Sequence, residues 1–344
     1  MNRSEAAGSR RGVVVTACVI AVGLVAATVA FLVRGDDGRG SLASACGGRL
    51  YDTDLEELLG ATDLQLNEPS TDASCAVKDP GQGKASLTVE VRRTDVATKL
   101  LGRLHRQNAH TGGEMVTPIG NGWAGVLNTS SPDHAYAAAY VACKGGPDAG
   151  LVVTVDAYSD PSARPLDEGG QRARLARLTT ETLRNAASGT ACQGARLGTE
   201  VSDVPADTTR TLKAEGEAAG SCEGIAHAAY ESAADKDAPL VDCLVTDHSG
   251  SKRFRLSAYY GPFVKSARLE TLRARQATDD QGGRGGFHWA TASCPSGEAL
   301  FTIETLEIGD GAFTPPDGKA ETEALRTFAQ RSAGLHGCLM PQLP

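Results

Sequence analysis

Nine cysteines punctuate the 344-residue chain, and eight of them fall into two quartets whose surroundings match. The first is Cys46, Cys75, Cys143 and Cys192; the second is Cys222, Cys243, Cys294 and Cys338. Cys75 opens Cys-Ala-Val-Lys-Asp, a Gly-bearing turn, then the alternating run 86–92, and Cys243 opens Cys-Leu-Val-Thr-Asp, a turn at Ser249 and Gly250, then the run 253–257. Alternation on both sides of a Gly-bearing turn predicts a β-hairpin. The third members, Cys143 and Cys294, each lead through a glycine, Gly145 or Gly297, into a strand-like run. Before each fourth member, Leu175, Leu178, Thr182, Leu183 and Ala186, or Ala324, Leu325, Phe328 and Ala329, recur at helical spacing. Gly189 and Gly334 are the expected stops. This self-similarity predicts a duplicated domain.

An even number of cysteines suits structural disulfides in an oxidising compartment. Four cysteines allow three pairings in each domain. The pairing favoured is Cys46 with Cys75 and Cys143 with Cys192, and correspondingly Cys222 with Cys243 and Cys294 with Cys338, because each would tie a helix to a neighbouring strand. No Cys-x-x-Cys occurs, which argues against a redox or zinc site. No metal and no cofactor is expected.

The compartment follows from 13–33, whose 21 residues carry no charge and suffice for a helix to cross a bilayer core of roughly 30 Å. Arg3, Arg10 and Arg11 precede it, while Asp36 and Asp37 follow Arg34, placing the N-terminus in the cytoplasm and the remainder outside. A cleaved signal peptide would end its apolar region sooner, yet Phe31, Leu32 and Val33 extend it. A lipid anchor at Cys18 would follow too short an apolar run; at Cys46 the aliphatic Leu42 stands one place too early. Cys18 reads as a small apolar residue of the helix.

The expected fold class is α+β: an N-terminal transmembrane helix followed by two tandem antiparallel-sheet domains with helices packed on the sheet, each holding four Cys. The boundaries are a cytoplasmic tail at 1–12, the transmembrane helix at 13–33, a Gly- and Asp-rich tether at 34–45, repeat 1 at 46–201, a linker at 202–220 and repeat 2 at 221–344. Within repeat 1, Thr53-Asp54-Leu55-Glu56 has the form of a capping box before a short helix bearing Leu55, Leu58 and Leu59. Val96, Ala97, Leu100, Leu101 and Leu104 predict a second helix ending near Gly112 and Gly113, and 123–127 and 135–141 predict strands. Repeat 2 shortens the plan, with a weaker middle helix at 267–276 and a pliant loop of Gly282, Gly283, Gly285 and Gly286 before Phe287-His288-Trp289-Ala290.

This order, with one cysteine before the first helix and another opening the first strand, resembles the actinobacterial lipoproteins and membrane-anchored ectodomains that share a PsbP-like α/β/α sandwich. A cationic complement of 25 Arg and 9 Lys, with abundant Ala and Gly, is similar to that of chains from GC-rich genomes. The chain departs from those lipoproteins by carrying a spanning stretch where a lipidated cysteine would stand. The resemblance implies a binding or assembly role without catalysis.

The net charge is −8, and because residues 1–12 contribute +2 the rest carries −10, which disfavours nucleic acid and anionic wall polymers as ligands. Aromatics are only 5%, so the cores must be built from Leu, Val and Ala and want covalent help. No catalytic residue emerges. His105 and His110 stand five apart, not the four that stack on one helical face, and no His-Glu-x-x-His occurs. Asp133-His134 and Asp247-His248 are acid-base pairs in expected turns, with no nucleophile elbow to complete them. Gly120-x-Gly122-x-x-Gly125 is not a dinucleotide loop, since no helix is predicted to follow it. Asn128-Thr129-Ser130 fits a glycosylation acceptor in form only. Trp123 and Trp289 suit core anchors. Trp289, flanked by His288 and the glycine loop, is nevertheless the candidate ligand-binding platform, with His288 beside it. The expected function is that of a tandem extracytoplasmic binding, sensor or assembly module that recruits a cell-envelope protein. The rival is an envelope hydrolase built on His134 or His248.

Overall fold

Leu87, Val89 and Val91 recur at period two, as do Leu151, Val153, Val155 and Ala157, and Ala135, Ala137, Ala139 and Val141; each set lines one face of one sheet. The computed structural model describes residues 42–343 apart from 72, 82, 83, 107–114, 145, 189–191, 193, 249, 273–278, 285 and 307–317. The tail 1–12, the stretch 13–33 and most of the tether lie outside the described residues. Among those described, no helix is long and apolar enough to cross a membrane.

The first sheet comprises β1 (Gln65–Thr71), β2 (Ser74–Lys78), β3 (Ser86–Arg93), β4 (Thr117–Pro118), β5 (Gly125–Asn128), β6 (His134–Cys143) and β7 (Gly146–Tyr158), in the order β1-β2-β3-β7-β6-β5-β4. The second comprises β8 (Ala229–Glu231), β9 (Leu240–Thr246), β10 (Lys252–Tyr259), β11 (Gly282–Arg284), β12 (Phe287–Cys294) and β13 (Gly297–Thr305), in the order β8-β9-β10-β13-β12-β11. All pairings are antiparallel, and apart from β4 the second order repeats the first. The repeat extends to the cysteines. Cys75 on β2 bonds Cys46 and Cys243 on β9 bonds Cys222, while Cys143 at the end of β6 bonds Cys192 and Cys294 at the end of β12 bonds Cys338.

A long helix covers the outer face of each sheet: α3 (Gly169–Ser188) lies on β6 and β7, and α5 (Gly318–Leu335) on β10, β12 and β13. The alanines of β6 let α3 approach closely, which suits a chain short of aromatic bulk. α5 passes through Gly334, the expected stop, and ends at Leu335. α1 (Leu55–Leu59) buries its three leucines as predicted, but Asp54 makes no capping hydrogen bond and instead pairs with Arg177 of α3 at 3.1 Å. The tether is shorter than expected: Leu42–Ser44 form a 3-10 turn and Ala45 is already buried in the core.

The inner faces meet each other. Val126, Tyr136, Ala138 and Val152 from the first sheet and Leu240, Tyr259, Phe287, Trp289 and Leu300 from the second share one core with two short helices, α2 (Leu100–Arg103) and α4 (Pro262–Ala267). Helices therefore lie on both faces of each sheet, not on one. α2 is shorter than its apolar spacing predicted, and Val96 is exposed. Its first amide groups are capped from repeat 2: Leu100 N donates to Ser266 Oγ at 2.9 Å, and Leu101 N and Gly102 N donate to the Glu270 carboxylate at 3.1 and 2.9 Å. α4 begins five residues before the predicted helix and runs into a π-helical turn, Arg268–Leu272. Gly261, at φ 55°, begins α4 where a Cβ would stand 2.5 Å from the Tyr140 hydroxyl, so glycine is required there on both counts.

At the polar centre of this seam Arg106, just past α2, forms a buried bidentate pair with Asp242 of β9. Asp242 also accepts from Ser257 Oγ at 2.8 Å and from Val116 N at 3.1 Å. The segment 202–220 has neither helix nor strand, yet Pro205 O accepts from Arg172 at 3.0 Å and Lys213 bridges Ala229. Residues Ser41–Pro344 form one compact unit.

Two outcomes follow. Peptide mapping of the oxidised, unreduced chain should return the four cross-links named above, and a Cys46–Cys143 or Cys222–Cys294 peptide would contradict the fold. Asp242→Asn removes the charge that balances the buried Arg106 guanidinium and should cost about 3–5 kcal/mol in denaturant unfolding, whereas an exposed control such as Asp95→Asn should leave the unfolding midpoint nearly unchanged.

Candidate functional site

The glycine loop expected before Trp289 is instead the edge strand β11, paired with β12 so that Gly282 faces Trp289 and Gly283 faces His288. A Cβ at 282 would lie 2.6 Å from the indole and one at 283 would lie 2.1 Å from the imidazole, so the two glycines are seats for these side chains. Trp289 is only 5% exposed, stacks on Phe287 with ring centroids 5.8 Å apart, and donates Nε1 to Asp279 O at 2.8 Å. It is an anchor of the inter-sheet core; its burial removes it as an open binding platform. His288, its neighbour, points to the opposite face, where Nε2 lies 3.2 Å from a carboxylate oxygen of the fully buried Glu321. Glu321 in turn accepts from Thr305 Oγ1 at 2.7 Å. Trp123 is likewise buried, with Nε1 donating to Thr199 O at 2.7 Å.

The residues that do converge belong to β6, β7 and the end of α2. His134 and Tyr136, two apart on β6, point to the same inner face. The register with β7 sets Tyr158 opposite His134 and Asp156 opposite Tyr136. His134 Nε2 lies 2.7 Å from Asp156 Oδ1, so its acid partner is Asp156 across the ladder; Asp133 is engaged by Ser131. The Tyr136 hydroxyl stands 3.2 Å from His134 Nδ1 and 3.3 Å from His105 Nδ1. His105 reaches it from a left-handed backbone at φ 54°, an uncommon conformation outside glycine. The Tyr158 ring lies over His134 with centroids 3.4 Å apart and is 41% exposed. Partial burial, then the Asp156 charge, pushes the Tyr158 phenol pKa up.

As chemistry, this is an oriented imidazole with an acid behind one nitrogen and a phenol before the other. Its Nδ1 faces Tyr136 rather than a Ser, Cys or Thr nucleophile. Among the described residues no three His, Cys, Asp or Glu side chains gather as a metal cage. Sequence reasoning singled out His134 and His105 separately but missed Tyr136, Asp156 and Tyr158, whose relation is fixed by strand register. Other candidates are structural. Asn128 is buried and donates to Leu104 O at 2.9 Å, which closes it to glycosylation. His248 occupies an exposed turn, and His110, Gly112 and Gly113 lie outside the described residues. Gly120, Asn121 and Gly122 all have positive φ, forming a tight turn into Trp123. Open concavities lie elsewhere, among them one of about 600 Å3 between α5 and the Cys222 turn, lined by Glu223, Gly224, Thr327, Arg331 and Leu335.

His336 packs flat on Tyr260 with its nitrogens 2.9 and 3.0 Å from the carbonyls of Ser332 and Ala238. Burial depresses its pKa, outweighing the rise from those carbonyls and from Asp235 and Asp237. A depressed folded-state pKa means that unfolding takes up a proton. The stability is full above the unfolded value of about 6.5 and declines as pH falls through the folded value. His336→Gln should therefore flatten the loss of stability below about pH 6.5, read as thermal midpoint against pH. Trp289→Ala should cost about 3–5 kcal/mol by the same unfolding measurement. No known protein family, curated protein or solved structure matches the chain.

Proposed function

We propose that this chain is a single-pass envelope protein, cytoplasmic at its N-terminus and anchored through 13–33, whose duplicated extracytoplasmic body serves as a binding or assembly module. The observation that carries the reading is the placement of the disulfides. All eight cysteines of the body are paired, at the same four positions of two sheets that share one strand order. Disulfides persist in oxidising compartments, and the uncharged stretch with its flanking arginines supplies the route there. The resemblance of the sequence to anchored ectodomains with a PsbP-like sandwich implies binding without catalysis. The partner is a cell-envelope protein met on the outer surfaces, since the inner faces are consumed by the seam.

A second reading, an envelope hydrolase, has one observation in its favour, the His134–Asp156 pair. It lacks a placed nucleophile, and Tyr136 holds the position a nucleophile would take.

The test has two arms. Protease added to intact spheroplasts should remove the body and leave a membrane-bound N-terminal fragment, and full protection would overturn the topology. Crosslinking the oxidised full-length chain in its own membranes should capture a recurring envelope protein that is lost when disulfides are reduced. Turnover of envelope polymers abolished by His134→Ala, with no captured partner, would favour the hydrolase.

A further inference from the structure

The edge of β12 away from β13 is closed by two pieces of chain. β11 pairs with Phe287, His288 and Trp289. Beyond it the last residues of the chain take over, where Leu339 N donates to Ser293 O and Gln342 N donates to Thr291 O, each at 2.8 Å. This strap departs from the end of α5 through Gly337, whose φ of 67° turns the chain and whose added Cβ would meet nothing within 4 Å. Cys338, the next residue, bonds Cys294 at the end of β12. Leu343 packs on the second outer core, but Leu339 and Met340 are 70% and 71% exposed and bury little. A terminal segment so lightly packed relies on the covalent bond for its order.

The same bond is the one most open to exchange. The other six cysteines of the body are buried, none more than 7% exposed, whereas Cys294 and Cys338 are both only partly buried. Exchange requires an attacking thiolate to reach a sulfur, so access ranks the four bridges. No Cys-x-x-Cys marks this pair; its access comes from the fold. α5 is held in place without it, since Ser332 Oγ stands 2.7 Å from the Tyr260 hydroxyl, His336 Nε2 lies 3.0 Å from Ala238 O and Glu321 accepts from Thr305 Oγ1 at 2.7 Å. All three ties precede Gly337. We propose that Cys294–Cys338 is a reducible latch: its reduction frees the strap from 338 onward and bares the β12 edge at 291–293 while the body stays folded. A thiolate of a dithiol reductant attacks one of the two sulfurs, the bond between them breaks and a mixed disulfide forms, which the reductant's second thiol then resolves. Two electrons pass to the cysteine pair, the reductant becomes a disulfide, and its two protons end on Cys294 and Cys338. Release leaves Thr291 O and Ser293 O without their donors at an edge that the strap otherwise occupies. It also removes one wall, Leu339, Met340 and Gln342, from a groove of about 410 Å3 whose other side includes Thr291, Ser293 and Glu298. The latch does not depend on whether the body recruits a partner.

The experiment is graded reduction of the oxidised full-length chain in detergent with dithiothreitol, quenched by alkylation and mapped by mass spectrometry. Cys294 and Cys338 should be alkylated together, roughly tenfold faster than any other pair of the body. Hydrogen exchange on the partly reduced chain should then rise across 338–343, while β13 and α5 keep their protection. The double variant Cys294→Ser, Cys338→Ser should show the same freed strap without reductant and an unchanged near-ultraviolet circular dichroism spectrum. If that variant does not fold, the partly reduced natural chain still decides. Alkylation of another pair first, simultaneous alkylation of all eight body cysteines, or strap amides as protected after reduction as before would overturn the latch. Loss of α5 protection together with that of the strap would also overturn it, because reduction would then unfold the repeat instead of releasing its end.

Discussion

The seam between the sheets turns on the Asp242 carboxylate. A buried carboxylate is costly unless its lone pairs are occupied, and here a bidentate guanidinium, a hydroxyl and a backbone amide occupy them. Two of the donors, Arg106 and Val116 N, come from repeat 1, whereas Ser257 shares the second sheet with Asp242. Neither inner face could bury its own share without the other. A hydrophobic pair of similar volume could be as stable. What the polar centre adds is register, because only one placement of the sheets satisfies all of these bonds at once. The capping of α2 by Ser266 and Glu270 follows from that placement: a four-residue helix is too short to persist alone.

Covalent and noncovalent ties divide the molecule between them. The disulfides lie with the outer-face cores and each closes within its own repeat, at sequence separations of 21 to 49 residues. None crosses the seam. The outer cores combine alanine, valine and leucine with Trp123 in the first and Phe254, Tyr260, Phe301 and Phe328 in the second, and cross-links worth about 2–4 kcal/mol each reinforce them. The seam holds Phe263, Phe287 and Trp289 together with the buried ion pair, and no disulfide. Reduction should therefore loosen the outer layers while leaving the seam's own contacts chemically unchanged.

Much of the first layer of this organisation was legible in the sequence. Hairpins and outer helices announce themselves through period-two and helical spacing around the cysteines, signals that lie within some fifty residues, while the spacing leaves three disulfide pairings open in each repeat. The seam was not legible. Arg106 and Asp242 are 136 positions apart, and nothing local marks either as buried. The apolar spacing through Val96 and Leu104 suits one long helix because it cannot show that Ser266 and Glu270 will cap only its middle. The glycines at 282 and 283 suit a pliant loop for the same reason: glycine permits a turn, but it equally permits a strand beneath an indole and an imidazole. His134 pointed to a site, yet its adjacent acid in sequence, Asp133, is not its acid in space. Strand register decides that, and register is fixed by the whole β6–β7 ladder.

Closure of the seam also decides where recognition can happen. Leu240, Tyr259 and Leu300 share one buried cluster with Val126, Ala138 and Val152 in the middle of the seam. Along β7 the cover stops: Val152 is buried, Asp156 is half-exposed and Tyr158 is open. The buried interior thus ends in a step where polar and aromatic groups, backed by the β6–β7 ladder, meet water. A rigid scaffold presenting oriented nitrogen and oxygen atoms at its rim loses little conformational freedom on binding. Trp289, by contrast, has its polar atom bonded and its faces packed, so exposing it would cost the stability that keeps this rim in place.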